Sequence, residues 1–249
     1  MGDSKVTVRS VERALDILLC FADESSLSMS EIAQRVALHK STVHRLLASL
    51  ETKGFVIRDP VTDHYRLGFR VWELSANLNQ ADDPASVLLP EMERLRDHIG
   101  ETISLYIRHG HERIRIQAVQ SNHPIRRVAP IGVSLPLYVG ASSKVLLAFA
   151  SPQLTDEIIQ RPDWPSNIDE QQYRQQLSNI RACGFATSME EREAGAAAVA
   201  VPIFNRQQEL IAALSISGPA NRLTYEEMER VVGIIKEAAH RMGMMLRAR

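Results

Sequence analysis

The segment from Ser28 to Leu50 constrains the fold most, because its pattern predicts two short helices joined by a tight turn. Ser28 and Glu31 have the spacing of a capping box, in which two side chains satisfy free backbone amides at a helix start. The second helix has apolar residues at i, i+3, i+4 and i+7, the pattern of a buried face: Val43, Leu46, Leu47 and Leu50. This arrangement is typical of a helix-turn-helix, and an ordinary helical hairpin with a solvated polar face is the alternative.

The opposite face of the second helix carries side chains that donate hydrogen bonds: Lys40, Ser41, Thr42, His44, Arg45 and Ser49. No carboxylate interrupts this face before Glu51. Hydroxyls and cations at a helix start suit phosphates and base edges in the major groove of DNA. We therefore predict base or phosphate contacts at Lys40, Thr42, His44 and Arg45, and a cap or phosphate contact at Ser41.

The next segment predicts a β-hairpin, with strands at 55–58 and 64–67 and a turn at 59–63. A hairpin directly after such a helix is a wing, and we expect its Arg58 and Arg66 to meet phosphates or a minor groove. Residues 35–70 contain seven lysines and arginines and three acidic residues, a local net charge of +4 in a chain whose net charge is −1. The basic charge therefore lies where phosphates would be met.

The whole chain has the composition of an ordinary globular protein of one or two domains, with 249 residues, 45% of them hydrophobic and 24% charged. It contains no apolar run of the roughly 18 residues that would indicate a membrane span. The first residues lack the apolar segment of a signal peptide. Cys20 and Cys183 each lie in a helical apolar pattern, which favours buried free thiols and a cytoplasmic protein.

The remaining pattern mixes helices and strands. Within residues 6–22 we predict a first helix that Ser10 caps, and we predict a linker helix at 68–79. Beyond it we predict a helix from Pro84 that ends at Gly100, a hairpin around 109–112, an extended piece at 125–128, a helix from Ala141, helices at 153–160 and 169–182, a loop after Gly184, a hairpin around 205–208, and a helix capped by Thr224 and Glu227. This order indicates an α+β sheet domain. The predicted parts are a winged helix-turn-helix at 1–67, a linker helix at 68–83 and a second domain at 84–249.

Several separated motifs, in this order and spacing, carry a resemblance to a known family. They are Ser10–Leu18, Ser41–Leu47, Gly54-Phe55, Tyr65–Gly68, Leu135–Leu137, Lys144, Leu147-Ala148, Gly184-Phe185, Glu191, Gly195, Val199–Pro202, Ser217–Pro219 and Arg222–Thr224. Over nearly its whole length the chain resembles the IclR-type bacterial transcription regulators. The resemblance implies an N-terminal winged helix-turn-helix and a C-terminal effector-binding domain similar to GAF and PAS-like sheets.

The resemblance also implies partners and a site. Family members bind double-stranded operator DNA as homodimers, often as homotetramers, and a small organic or aromatic acid sets promoter occupancy; no cofactor is implied. Effector positions, matched by motif, are Ala141, Ser142, Ser188, Ala198, Ser215 and Ser217. Independently of the family, a helix start near Ala141 would offer amides to a carboxylate. Ser215 and Ser217 lie two apart on a predicted strand, so both hydroxyls face one side.

Three positions depart from the family pattern. Ser143 stands where the family often has glycine, and members that sense small keto acids tend to have an acidic residue near Ser188 and a cysteine near Ala198. The pocket therefore loses a charge, which argues against a glyoxylate-like effector and allows a larger or less polar one. The resemblance implies a repressor more often than an activator, and the chain itself leaves this open.

Three other functions fit parts of the sequence less well. A serine–lysine enzyme is suggested by Ser142 and Lys144, but the S-x-x-K spacing would need a serine at Ala141. A metal site is suggested by His109, His111 and Glu112, although Gly110 between them favours an exposed turn, and a metal-dependent regulator stays an alternative. A winged-helix adaptor for proteins is disfavoured by the local charge of +4.

Overall fold

A computed structural model describes residues 7–22, 24–76, 83–126 and 130–246 of the chain. The chain divides into two compact units, residues 1–80 and 81–249. The predicted linker at 68–83 spans this division, while its exact limits stay a prediction. No helix in the described ranges is long and apolar enough to cross a membrane.

The first unit is a winged helix-turn-helix, as predicted. Its elements are α1 Arg9–Leu19, β1 Leu27–Ser28, α2 Met29–Arg35, α3 Lys40–Thr52, β2 Val56–Arg58, β3 His64–Leu67 and α4 Phe69–Ala76. The three strands form an antiparallel sheet in the order β1-β3-β2. Its core contains the apolar residues of all three leading helices, among them Ile17, Ile32, Val43 and Leu47, each fully buried.

Of the three capping residues predicted in this unit, one is confirmed and two are wrong. Glu31 donates its amide to the Ser28 hydroxyl at 3.3 Å, and Ser28 donates its amide to the Glu31 carboxylate at 2.7 Å, so the predicted capping box is confirmed. The predicted cap roles of Ser10 and Ser41 are wrong. Val8 and His39 hold the extended backbone of the capping position, so both serines already lie inside helices.

The linker helix α4 is fixed to the turn between α3 and β2. The Gly68 amide donates to the Phe55 carbonyl at 2.8 Å, and the Arg70 amide donates to the Gly54 carbonyl at 3.2 Å. A Cβ atom on Gly68 would lie 2.2 Å from the Gly54 carbonyl oxygen, so this close approach requires glycine. The predicted helix is confirmed as far as residue 76, and residues 77–79 lie outside the described part of the chain.

The second unit is built on a six-stranded antiparallel sheet in the order β6-β5-β4-β9-β8-β7. Its elements are α5 Pro84–Val87, α6 Leu89–Ile99, β4 Thr102–His109, β5 Glu112–Val119, β6 Ser134–Pro136, α7 Ala141–Ala148, α8 Pro152–Ile159, α9 Glu170–Cys183, β7 Ala186–Met189, β8 Ala196–Phe204, β9 Leu210–Pro219 and α10 Tyr225–Met245. The mixed α+β architecture with a GAF-like sheet is therefore confirmed.

Helices cover both faces of this sheet. On one face, Ile103, Leu214 and Ile216 pack with Ile235 and Met242 of α10. On the other face, Tyr106, Ala200 and Ala213 pack with residues of α7 and α9. Because side chains alternate along a strand, Ser215 and Ser217 share the second face with Ala213 and lie below α7.

Three local predictions in this unit need correction. The single helix predicted from Pro84 is divided at Leu88, because Pro90 has no backbone N–H and lies in the first turn of α6. The predicted extended piece at 125–128 has no strand at 125–126, and 127–128 lie outside the described residues; β6 pairs with β5 instead. The predicted loop after Gly184 contains the edge strand β7. Gly100, at φ +83°, ends α6 as predicted.

The two cysteines are free thiols, as predicted, but their predicted burial is wrong for Cys183. Cys183 is the last residue of α9 and is exposed, while Cys20 is partly buried just after α1. Apolar periodicity identifies the helix, but a residue at its last turn can leave the buried face.

Candidate functional site

The helix α3 presents two different faces. Val43 and Leu47 are fully buried against the first unit's core. Lys40, Ser41, His44 and Arg45 are exposed, and Thr42 is partly exposed beside them. The side chains that the sequence predicted to contact DNA therefore lie together on the outer face of this helix.

The wing places its two arginines on opposite faces of the hairpin. Arg58 pairs with Tyr65 across the strands and Arg66 pairs with Ile57, so their side chains point away from each other. The Arg58 guanidinium makes an ion pair with Asp63 at 2.9 Å and lies over the Tyr65 ring. Arg66 is exposed. A phosphate at Arg58 would have to compete with the carboxylate of Asp63.

The six positions that the resemblance assigned to an effector line one cavity of the second unit: Ala141, Ser142, Ser188, Ala198, Ser215 and Ser217. Ser188, Ala198 and Ser217 are Cα partners across β7, β8 and β9, so they form one row of the sheet. Ser188 lies on β7 and not in a loop as predicted. The head of α7 closes the cavity above this row.

The cavity is small and partly polar. Its volume is about 40 Å³, more than a single water molecule needs and less than the roughly 150 Å³ of a cavity that accepts benzene. The Ser217 hydroxyl is buried, and the described residues provide it with no hydrogen-bond partner. A small polar molecule fits without rearrangement, whereas an aromatic ring fits only if lining side chains move.

Arg113 also lines the cavity, and the sequence did not indicate it. It lies on β5 with 4% of its surface exposed, donates to the Ser142 hydroxyl, and places its guanidinium carbon 4.8 Å from the centre of the Tyr106 ring. The alternation Arg113-Ile114-Arg115 gives this part of β5 one polar face. That this face is covered by α7 depends on contacts far apart in the chain.

Glu191 is the second group that the sequence did not place. Its carboxylate accepts the Gly140 amide at 3.0 Å, at the head of α7, and makes an ion pair with Lys144 at 2.5 Å. The Lys144 side chain is 2% exposed. Burial raises the pKa of the Tyr173 hydroxyl well above its usual range, and the negative charge of Glu191 raises it further. Glu191 thus supplies a carboxylate of the chain itself to the start of α7.

These contacts occupy the side chains of the suggested serine–lysine nucleophile. Lys144 is paired with Glu191, the Ser142 hydroxyl accepts from Arg113, and Ser143 donates to the Pro136 carbonyl at 2.7 Å. A nucleophilic serine would need a base within hydrogen-bonding reach of its hydroxyl.

Comparison with protein families gives two matches that together span most of the chain. Residues 10–60 match the IclR helix-turn-helix domain, and residues 80–243 match the C-terminal domain of bacterial transcriptional regulators of the IclR type. The chain belongs to the IclR family of bacterial transcriptional regulators. As a member of this family it is a DNA-binding regulator, as predicted, and its relatives are regulators rather than enzymes.

Known regulators are similar to this IclR-family chain over nearly their whole length. The transcriptional repressor IclR of Escherichia coli is 28% identical, with 93% of this chain and 88% of the repressor covered. The regulator BhcR of Paracoccus denitrificans is 30% identical, with 95% and 86% covered. An IclR homolog of Microbacterium hydrocarbonoxydans, solved in complex with 4-hydroxybenzoate, is 28% identical with a TM-score of 0.84, covering 96% of this chain and all of that one.

The histidines proposed for a metal lie at the end of β4 and in the turn before β5 of this IclR-family domain. His111 has its Nε2 atom 2.9 Å from the Glu157 carboxylate and its Nδ1 atom 3.3 Å from the Arg161 guanidinium. Within the described ranges, no group of three or more His, Cys, Asp or Glu side chains is placed to hold a metal ion.

Proposed function

We propose that this IclR-family regulator is a repressor, acting in the bacterial cytoplasm, whose occupancy of an operator is controlled by a small organic or aromatic acid. The observation that carries the proposal is the cavity below α7, where six matched positions meet around the Ser217 hydroxyl, which has no hydrogen-bond partner among the described residues. The 4-hydroxybenzoate complex of the Microbacterium homolog supports an acid as the ligand. The names of relatives such as the E. coli repressor support repression rather than activation.

The DNA contacts we propose come from α3 and the wing. Lys40, Thr42, His44 and Arg45 would contact bases or phosphates in a major groove, and Ser41 would contact a phosphate. Arg58 and Arg66 would add contacts from the two faces of the wing. In a dimer, two such helices would read half-sites one helical turn, or a multiple of it, apart.

A dimer is proposed from apolar surfaces of the first unit. Leu15 and Leu19 of α1 are more than half exposed, and so are Phe69, Trp72 and Leu74 of α4. The Phe69 and Trp72 rings stack at 5.1 Å, which gives α4 a continuous apolar side. Contiguous exposed apolar surface on a soluble protein marks an interaction site. The homodimer or homotetramer would use these helices.

We expect Arg45→Ala to weaken operator binding by about tenfold or more, because it removes a cation from the outer face of α3. The measurement is fluorescence anisotropy with labelled DNA from upstream of the protein's own gene, at one salt concentration. Arg230→Ala is the matched control, since it removes the same charge from an exposed position on α10. Equal affinities of wild type and Arg45→Ala would contradict the assignment of α3 as the recognition helix.

We expect an acid that binds the cavity to raise the melting temperature, because a ligand of the folded state stabilises it by mass action. The panel contains glyoxylate, pyruvate, benzoate and 4-hydroxybenzoate, and the control variant is Ser178→Ala on the exposed side of α9. Ser217→Ala should abolish the rise, whereas Ser178→Ala should keep it. A rise of the same size in Ser217→Ala would place the binding elsewhere.

A further inference from the structure

The cavity wall contains a buried positive charge that is held in a defined place. The Arg113 guanidinium lies between the Tyr106 ring and the head of α7, where it donates to the Ser142 hydroxyl. One of its terminal nitrogens is 3.2 Å from the position that a Cβ atom on Gly140 would take. Gly140 has φ +91°, and its missing side chain lets the guanidinium come this close.

The head of α7 is already bonded to a carboxylate of the chain itself. Glu191 accepts the Gly140 amide with one oxygen and pairs with Lys144 through the other. An acid that entered the cavity and bound at this amide would have to displace Glu191 and leave Lys144 buried without its ion pair. Removing one partner of a buried ion pair is costly. The Gly140 amide is therefore a poor anchor for a second carboxylate.

Two other charged side chains line the cavity. Arg192 and Glu193 lie in the segment between β7 and β8, and their charged groups are 3.4 Å apart. They differ from Arg113 in exposure: 25% and 55% of their side chains is accessible, whereas Arg113 as a whole residue is 4% exposed. A charge-assisted hydrogen bond is strongest away from water. Arg113 is thus the cation of this wall that water screens least.

We propose that Arg113 is the residue that binds the carboxylate of the effector, in place of the Gly140 amide. The inference rests on the proposed effector site. A guanidinium offers several donors in a planar fork that matches the two oxygens of a carboxylate. Specificity follows from this geometry: the cavity takes a monoanionic acid, and the neutral amide of the same acid binds much more weakly.

The test compares each acid with its amide on the full chain by isothermal titration calorimetry. The probes are pyruvate with pyruvamide, and 4-hydroxybenzoate with 4-hydroxybenzamide. Arg113→Gln should weaken acid binding by about 30-fold or more, as expected for a lost charge-assisted pair, and bring the acid-to-amide ratio of affinities close to one. Arg113→Lys is the second variant, for use if Arg113→Gln fails to fold. It keeps the charge without the fork, so it should keep only part of the preference for the acid.

Arg115→Lys is the control variant. Arg115 is buried two residues along the same strand and donates to the Tyr106 hydroxyl at 2.6 Å, but it is not among the residues that line the cavity. It should leave the acid-to-amide ratio within about twofold of wild type, because damage to the β5 wall alone weakens both probes alike. A wild-type ratio in Arg113→Gln or Arg113→Lys would overturn the inference and leave the effector site standing. If the wild type binds no acid, the proposed function fails and the inference fails with it.

Discussion

Replacing Gly243 with alanine should destabilise the second unit by about 3 kcal/mol, the upper range for a substitution that overpacks a core. A Cβ atom at this position would lie 1.9 Å from the carbonyl oxygen of Phe204, which is backbone of β8. Strand backbone cannot rotate away as a side-chain end can, so α10 would have to move off the sheet. Ile235 and Met242, fully buried on the same helix, would lose contacts with it.

Gly233→Ala is the matched control for this prediction. Gly233 lies on the same helix, is exposed, and has no atom within 4 Å of its would-be Cβ. Alanine there should stabilise the fold by up to about 1 kcal/mol, because glycine inside a helix costs backbone entropy. Urea unfolding followed by circular dichroism gives the change in the free energy of unfolding for both variants, provided that this free energy falls with urea at the same slope as in the wild type. Equal midpoints for the two variants would refute the close approach of α10 to β8.

The second large effect is expected at the buried ion pair. Glu191→Gln should cost about 3 to 5 kcal/mol, the range for breaking a buried pair from one side. It leaves the Lys144 ammonium, 2% exposed, without its carboxylate. Lys144→Met should cost less, because the Glu191 side chain is 32% exposed, can be hydrated and still accepts the Gly140 amide.

The double variant separates the ion pair from the other contacts of the two residues. If Lys144 and Glu191 stabilise the fold through each other, the combined loss should be smaller than the sum of the single losses. The free energies of unfolding of the four proteins, measured in urea under one set of conditions, give the coupling. Additive losses would mean that the two side chains act independently. That result would contradict the coupling expected from their 2.5 Å contact.

Features that depend on neighbouring residues could be predicted from the sequence. The capping box of Ser28 and Glu31, the wing around residues 59–63 and the glycine that ends α6 are all set within a few residues. The predicted capping roles of Ser10 and Ser41 were wrong because serine is favoured at several positions near a helix start. Which residue takes the cap depends on the backbone before it.

Features that depend on distant pairing could not be predicted in this way. Arg113 has an ordinary strand pattern, and its burial depends on α7, which begins 28 positions later. Glu191 lies in an acidic segment that suggests solvent, and its partner Lys144 is on another element. The resemblance to the family brought six cavity positions together by motif, but it indicated neither Arg113 nor the ion pair of Lys144 and Glu191.

The measurement that tests the account most directly is the affinity of the full chain for DNA from upstream of its own gene, with and without a saturating cavity-binding acid. At one salt concentration, we expect the acid to weaken binding by a factor of roughly 5 to 150, the span of typical coupling between two sites. Identical affinities would contradict it, because the acid would then bind without controlling the regulator.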